Sequence, residues 1–183
     1  MNDWRRIAAP VLAVIALGYL AAMVVSGAQP VQRQFVEFEA KGLLKLPSER
    51  IHRVELIRED QHVSFVRNGE NRWVTQAGVE LDAAAGKRIS TAVQMMHNSG
   101  PARDIPPGEL AGADPAPFGL DAPRITAKLY DSGTDPVLAV RFGALNPDEF
   151  LQYMRIESDD HLYLMSRFIG EAWMHAFDGS LQR

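Results

Sequence analysis

Three regimes of hydrophobic patterning follow one another along the chain. From Ile7 to Val25 the sequence IAAPVLAVIALGYLAAMVV runs for nineteen positions without a charge. At about 1.5 Å rise per residue, a helix of that length comes close to crossing a hydrocarbon layer of about 30 Å. From Ile51 the pattern becomes one of period two, the mark of half-buried strands. Between and after the strand-rich stretches, apolar residues recur at helical spacing.

The period-two regime begins with Val54, Leu56 and Arg58 alternating with Arg53, Glu55 and Ile57. Glu59-Asp60-Gln61 turns the chain into a second strand, His62 to Arg67, with Val63 and Phe65 on one face. Asn68-Gly69 is a strong short hairpin signal, because both residues tolerate positive φ. Arg72 to Thr75 makes a third strand, so 51–75 reads as an antiparallel meander. Asp82 is placed to cap a helix whose buried stripe is Ala85, Ile89, Ala92, Val93 and Met96, with Asn98 and Gly100 as its stop. The stretch Ser99 to Pro117 holds five prolines and three glycines, too many for regular structure, and reads as a connecting arm. Phe118-Gly119-Leu120-Asp121-Ala122-Pro123 closes it. Phe118 and Leu120 serve as an apolar plug, Gly119 as the turn, and Pro123 sets the approach to a strand.

The second half repeats the alternation. Strands are expected over 125–129, 137–142, 151–157 and 161–166, with turns at 131–135 and 158–160 and a loop over 143–149. Ile169, Ala172, Trp173 and Ala176 fit a final helix stopped by Gly179. Strands, helix, strands, helix in that order argue for an α+β fold on an antiparallel sheet. The expected organisation is an N-terminal transmembrane helix (1–28), a juxtamembrane connector (29–50) and a folded domain (51–183).

The flanks of the apolar run give it an orientation. Trp4, Arg5 and Arg6 precede Ile7, an amphipathic ring and two cations of the kind found on the cytoplasmic side of a span. Val25 ends the run, and the domain beyond it is expected outside the cytoplasm. The alternative is a cleaved secretory signal, which Ser26-Gly27-Ala28 would suit, although the run exceeds the usual 7–15 residues of a signal core. Either outcome places the domain across the cytoplasmic membrane of a bacterium. Within the run, Gly18, Ala22 and Ser26 recur every four positions, a stripe of small residues at which a second helix can approach closely.

Composition narrows the function classes. The net charge is −4; leaving out Arg5, Arg6 and Asp3, the chain beyond Pro30 has 17 basic and 22 acidic residues. That balance argues against nucleic-acid binding, which needs clustered Lys and Arg to displace counterions. With no cysteine, disulfides, thiol catalysis and Cys-based zinc sites are excluded. His52, His62, His97, His161 and His175 show no paired metal spacing. Asp159-Asp160-His161 is the densest ionisable cluster, but it sits where Asp caps a turn. Asp131 and Asp135 flank a similar turn and lack the other oxygen ligands of a calcium loop. No G-x-S-x-G, G-x-x-x-x-G-K-[ST] or G-x-G-x-x-G motif occurs. Arg53, Arg58 and Arg67 on the first strands suggest a cationic patch that Glu55 neutralises.

Three stretches together carry a family resemblance: Asn71-Arg72-Trp73-Val74 running into Leu81-Asp82, then Phe118 to Pro123, then Leu138 to Gly143 followed by Gln152-Tyr153-Met154-Arg155. Their order resembles the bacterial domain of unknown function 4340, over about Ile51 to Ile169. The resemblance implies a membrane-tethered envelope protein, some members being similar to proteins encoded near gliding-motility-type ABC export components, and it carries no catalytic residues. The expectation from the whole chain is a single-pass inner-membrane accessory protein without cofactor, metal or enzymatic activity, whose partners are the membrane and other envelope proteins. The alternative is a ligand-binding or hydrolytic domain with the 99–117 arm as its lid.

Overall fold

A computed structural model of the chain describes residues 3–27, 41–112 and 114–181. It divides into two compact units, Met1–Phe38 and Glu39–Arg183. The described part of the first unit is one helix, α1 (Asp3–Gly27), 25 residues long. Its side chains are described at positions 10–24, and those are exposed throughout. Among the described residues no helix is long and apolar enough to cross a membrane, so the transmembrane character expected of 1–28 has no support from them.

The second unit is α+β. Its strands are β1 (Arg53–Arg58), β2 (Gln61–Arg67), β3 (Trp73–Thr75), β4 (Arg103–Ile105), β5 (Ile125–Tyr130), β6 (Leu138–Leu145), β7 (Leu151–Ile156) and β8 (Leu162–Ser166). They form one antiparallel sheet in the order β3-β2-β1-β5-β6-β7-β8-β4. Helices α2 (Ala83–Asn98) and α3 (Arg167–Leu181) cover one of its faces. Pairing sets the register: Val54 faces Phe65 and Leu129, and Leu56 faces Val63 and Ala127. Because side chains alternate along a strand, these partners all point the same way. Their shared face meets Ile89, Val93 and Met96 of α2 and Trp173 and Phe177 of α3 in a single apolar core.

The expected α2 stripe is buried as read, and Asp82 caps the helix by accepting a hydrogen bond from the Ala85 amide at 2.7 Å. Where the structure departs from the reading, the reasons are tertiary. Asn68-Gly69 does not form a two-residue hairpin. The Asn68 side chain accepts from the amides of Glu70 and Arg72, and Asn71, not Gly69, takes positive φ. The tight two-residue turn is at Glu59-Asp60, between the paired Arg58 and Gln61. Helix α2 ends at Ser99 in extended conformation, with no left-handed glycine stop at Gly100. The arm 99–117 contains a strand: β4 pairs with β8 from Arg103↔Leu164 to Ile105↔Leu162. Strand β6 runs on through Gly143 with a register shift between Phe142 and Leu145. Helix α3 continues past Gly179, which packs against the Arg88 guanidinium.

The expected connector 29–50 is divided. Positions 28–40 lie outside the described residues. Positions 41–50 belong to the folded unit: Leu44 is buried in the core, and the amides of Gly42 and Leu44 donate to the carbonyls of His97 and Met96 at the end of α2.

Candidate functional site

The turn singled out in the sequence is built by close backbone approach. Gly119 has φ +63°, and a Cβ there would lie 2.9 Å from the Ala144 amide nitrogen. A Cβ on Gly143 would lie 2.1 Å from the Phe118 carbonyl oxygen. The segment before the turn, a short 3₁₀ turn at Ala116–Phe118, therefore lies directly over β6. Phe118 packs its ring on Tyr153 of β7, centroids 4.9 Å apart, on the face opposite the helices, and Leu120 is buried. Asp121 and Pro123 go on to line a cleft of about 550 Å³ with Arg58, Glu59, Asp60 and Arg124. Here the structure brings together two turns far apart in sequence. The cleft is polar and of mixed sign, and Arg58, one of its cations, is held by Asp178 at 2.9 Å.

A second cluster joins the arm to the 158–160 turn. His161 Nδ1 and Asp104 Oδ1 are 2.6 Å apart, and Tyr163 donates its hydroxyl proton to Asp159 Oδ2 at 2.5 Å. The Asp159 Oδ1 atom also accepts from the His161 amide, which is the turn-capping role read from the sequence. The hydrogen bond to Asp104 raises the His161 pKa above its ordinary value. The Tyr163 bond holds the Asp159 carboxyl below the carboxylate range, while burial and the same bond push Tyr163 up. Asp104 has no sequence signal, because it becomes His161's neighbour only when β4 pairs with β8. These contacts latch an edge strand in place. Of the arm 99–117, the clefts described take only Ser99, its first residue at the end of α2, as a lining residue.

The third feature lies on the outer side of the helices. Ala84, Lys87, Arg88 and Thr91 of α2 and Ala172 and His175 of α3 enclose a groove of about 370 Å³. A cleft of about 380 Å³ shares Lys87 and Thr91 and continues along α2 past Gln94, Met95 and Asn98. Lys87 and Arg88 fall outside the buried stripe read for this helix and are exposed. The signal that marks them is the absence of any Asp or Glu from Ala83 to Asn98.

The remaining expected residues are dispersed. Gly18 and Ala22 lie in α1, and a Cβ on Gly18 would meet nothing within 4 Å. The side chains of Trp4, Arg5, Arg6, Ile7, Val25 and Ser26 lie outside those described. Arg53 is on the opposite sheet face from Arg58 and Arg67, so the three make no patch. Arg53 sits over the Tyr130 ring and 3.6 Å from Glu55, whereas Arg67 covers Trp73. Asp131 is occupied by Arg50 at 2.9 Å. Among the described residues no group of three or more His, Cys, Asp or Glu could hold a metal ion.

No family model, curated protein or solved structure matches the chain. The likeness to the domain of unknown function 4340 therefore stands on the short motifs quoted above.

Proposed function

We propose that this chain is a membrane-anchored, non-enzymatic accessory protein of the bacterial envelope. Its N-terminal helix sits in the cytoplasmic membrane, and its α+β domain lies outside and binds another component of an envelope complex. The observation that carries the reading is the uncharged run Ile7–Val25, which falls within one helix. Its described apolar side chains are exposed, Leu17 and Val14 each to 72%. Large aliphatic side chains left so open on a helix suit a lipid surround or another helix far better than water. The domain's carboxylate–imidazole pair binds one strand to another, and the resemblance to a tethered envelope family, with transporter-associated members, points the same way.

The test is fractionation followed by gentle solubilisation and copurification of the full-length chain. The expected result is sedimentation with membranes, resistance to alkaline extraction and recovery with a stoichiometric protein partner. Full-length protein free in the cytosol, or recovered from membranes only as a lone monomer, would overturn the proposal.

A further inference from the structure

We infer that the groove between α2 and α3 is the docking surface, and that it receives an acidic helical segment of the partner protein. This rests on the accessory-protein reading and names the surface and the chemistry it fits. The first observation is charge. Helix α2 carries Lys87, Arg88 and His97 and no acid, in a chain whose net charge is −4. Lys87 and Arg88 fall in the N-terminal half of the helix, toward the positive end of the peptide dipole. Cations there do nothing for the helix itself. Neither residue makes an ion pair among the described residues. The nearest acids of α3 are already engaged, Glu171 by Arg167 at 3.6 Å and Asp178 by Arg58 at 2.9 Å.

The second observation is shape. The groove floor includes Ala84 and Ala172, side chains small enough to let a third helix approach to the usual 8–10 Å between axes. Together with the neighbouring cleft, the concave strip follows α2 from Ala84 to Asn98, about 21 Å at helical rise. That is the length of about four turns of a helix laid alongside. Such a helix would place apolar residues at i, i+3 and i+4 on the alanine floor. Its carboxylates would meet Lys87 and Arg88, while Thr91 offers a hydrogen bond; Gln94 is already tied to Ser48 and Asn98. An anionic lipid surface fits less well, because the strip is concave and presents no protruding apolar side chain.

The test uses the full chain in nanodiscs and a labelled amphipathic peptide of roughly sixteen residues, glutamates flanking an Ala/Leu face, read by fluorescence anisotropy. A twin peptide has lysine for every glutamate. The expected result is saturable binding of the acidic peptide that weakens at least about tenfold in Lys87→Glu/Arg88→Glu, with the lysine twin binding that variant better than the wild type. Lys87→Gln/Arg88→Gln, checked by its thermal unfolding, serves where charge reversal harms folding and should weaken binding in the same direction. Absence of saturation up to about 1 mM overturns the proposal, as does equal affinity for wild type and both variants. So does loss of peptide binding on moving from phosphatidylcholine to phosphatidylglycerol discs, which would mean that lipid occupies the strip. In copurification, a partner held equally by wild type and Lys87→Glu/Arg88→Glu overturns the groove and leaves the accessory reading standing. Wild type recovered alone overturns the accessory reading, and the titration then decides the groove by itself.

Discussion

At the scale of single residues, the fold turns on a few atoms with no room or no partner. Gly143 has a carbonyl where its Cβ would go, so Gly143→Ala must push the Phe118 segment off β6. The expected cost is about 1–3 kcal/mol, measured as a shift in the denaturant midpoint. Trp173 is fully buried, and its indole N–H has no acceptor among the described residues. Removing that donor recovers part of what Trp173→Phe loses in packing. The substitution should change stability by less than about 1 kcal/mol, against about 3–5 kcal/mol for Phe177→Ala in the same core. His161 carries its imidazole against the Asp104 carboxylate. Its pKa is raised by Asp104, so the contact favours the folded state below the unfolded value of about 6.5 and is lost as pH rises through the folded one. An NMR titration should find His161 above its ordinary pKa in the wild type and lower in Asp104→Asn. An unchanged value in the variant would assign the shift to another neighbour.

At the scale of elements, caps and edges decide what is ordered. Asp82→Ala removes the acceptor for the Ala85 amide and should cost about 1 kcal/mol, read from thermal unfolding, while leaving the α2 fold intact. The two edge strands are short. On β3, Val74 bridges to Glu80, and β4 is followed directly by Pro106 and Pro107, which cannot continue a hydrogen-bonded ladder. Neither edge invites another strand. In α1, replacing Gly18 and Ala22 by Leu should abolish assembly with a membrane partner if the small-residue stripe is a helix contact, with the domain's unfolding transition unchanged. Assembly that survives both replacements removes the stripe from the account.

At the scale of the whole molecule, the chain divides its tasks between two compact units, one a helix with exposed aliphatic side chains and one a sheet with two helices on a face. Most of the second unit's buried apolar side chains join a single core, while Phe150 and Phe168 stay exposed, and several of its charges pair across strands. Lys87 and Arg88 are two of several described cations without an ion pair, Arg124 and Arg155 among the others, and they are the two that border the groove between α2 and α3. Mass determination of the mature N-terminus should find residues before Ser26 retained. Cleavage after Ala28 would instead make the apolar run a secretory signal.

Local sequence determined the elements whose signals are themselves local. The α2 stripe, the Asp82 cap, the alternation in β1, β5, β7 and β8, and the left-handed Gly119 all depend on neighbours within a few positions. The order of those elements was enough for the α+β class and the antiparallel sheet. Tertiary structure decided whatever depended on a distant partner. Arg103–Ile105 became a strand only because β8 was there to pair with it, despite prolines on both sides. The turn read at Glu59-Asp60-Gln61 formed and was tightened to two residues by the β1–β2 register, while Asn68 used its side chain to hold a wider loop. Gly100 and Gly179 answered to close packing by Lys41 and Arg88, not to helix termination. The unpaired cations of α2 came to border a groove only once α3 lay beside them, because the charge of a segment is written in its composition while its counter-charges are assigned by packing.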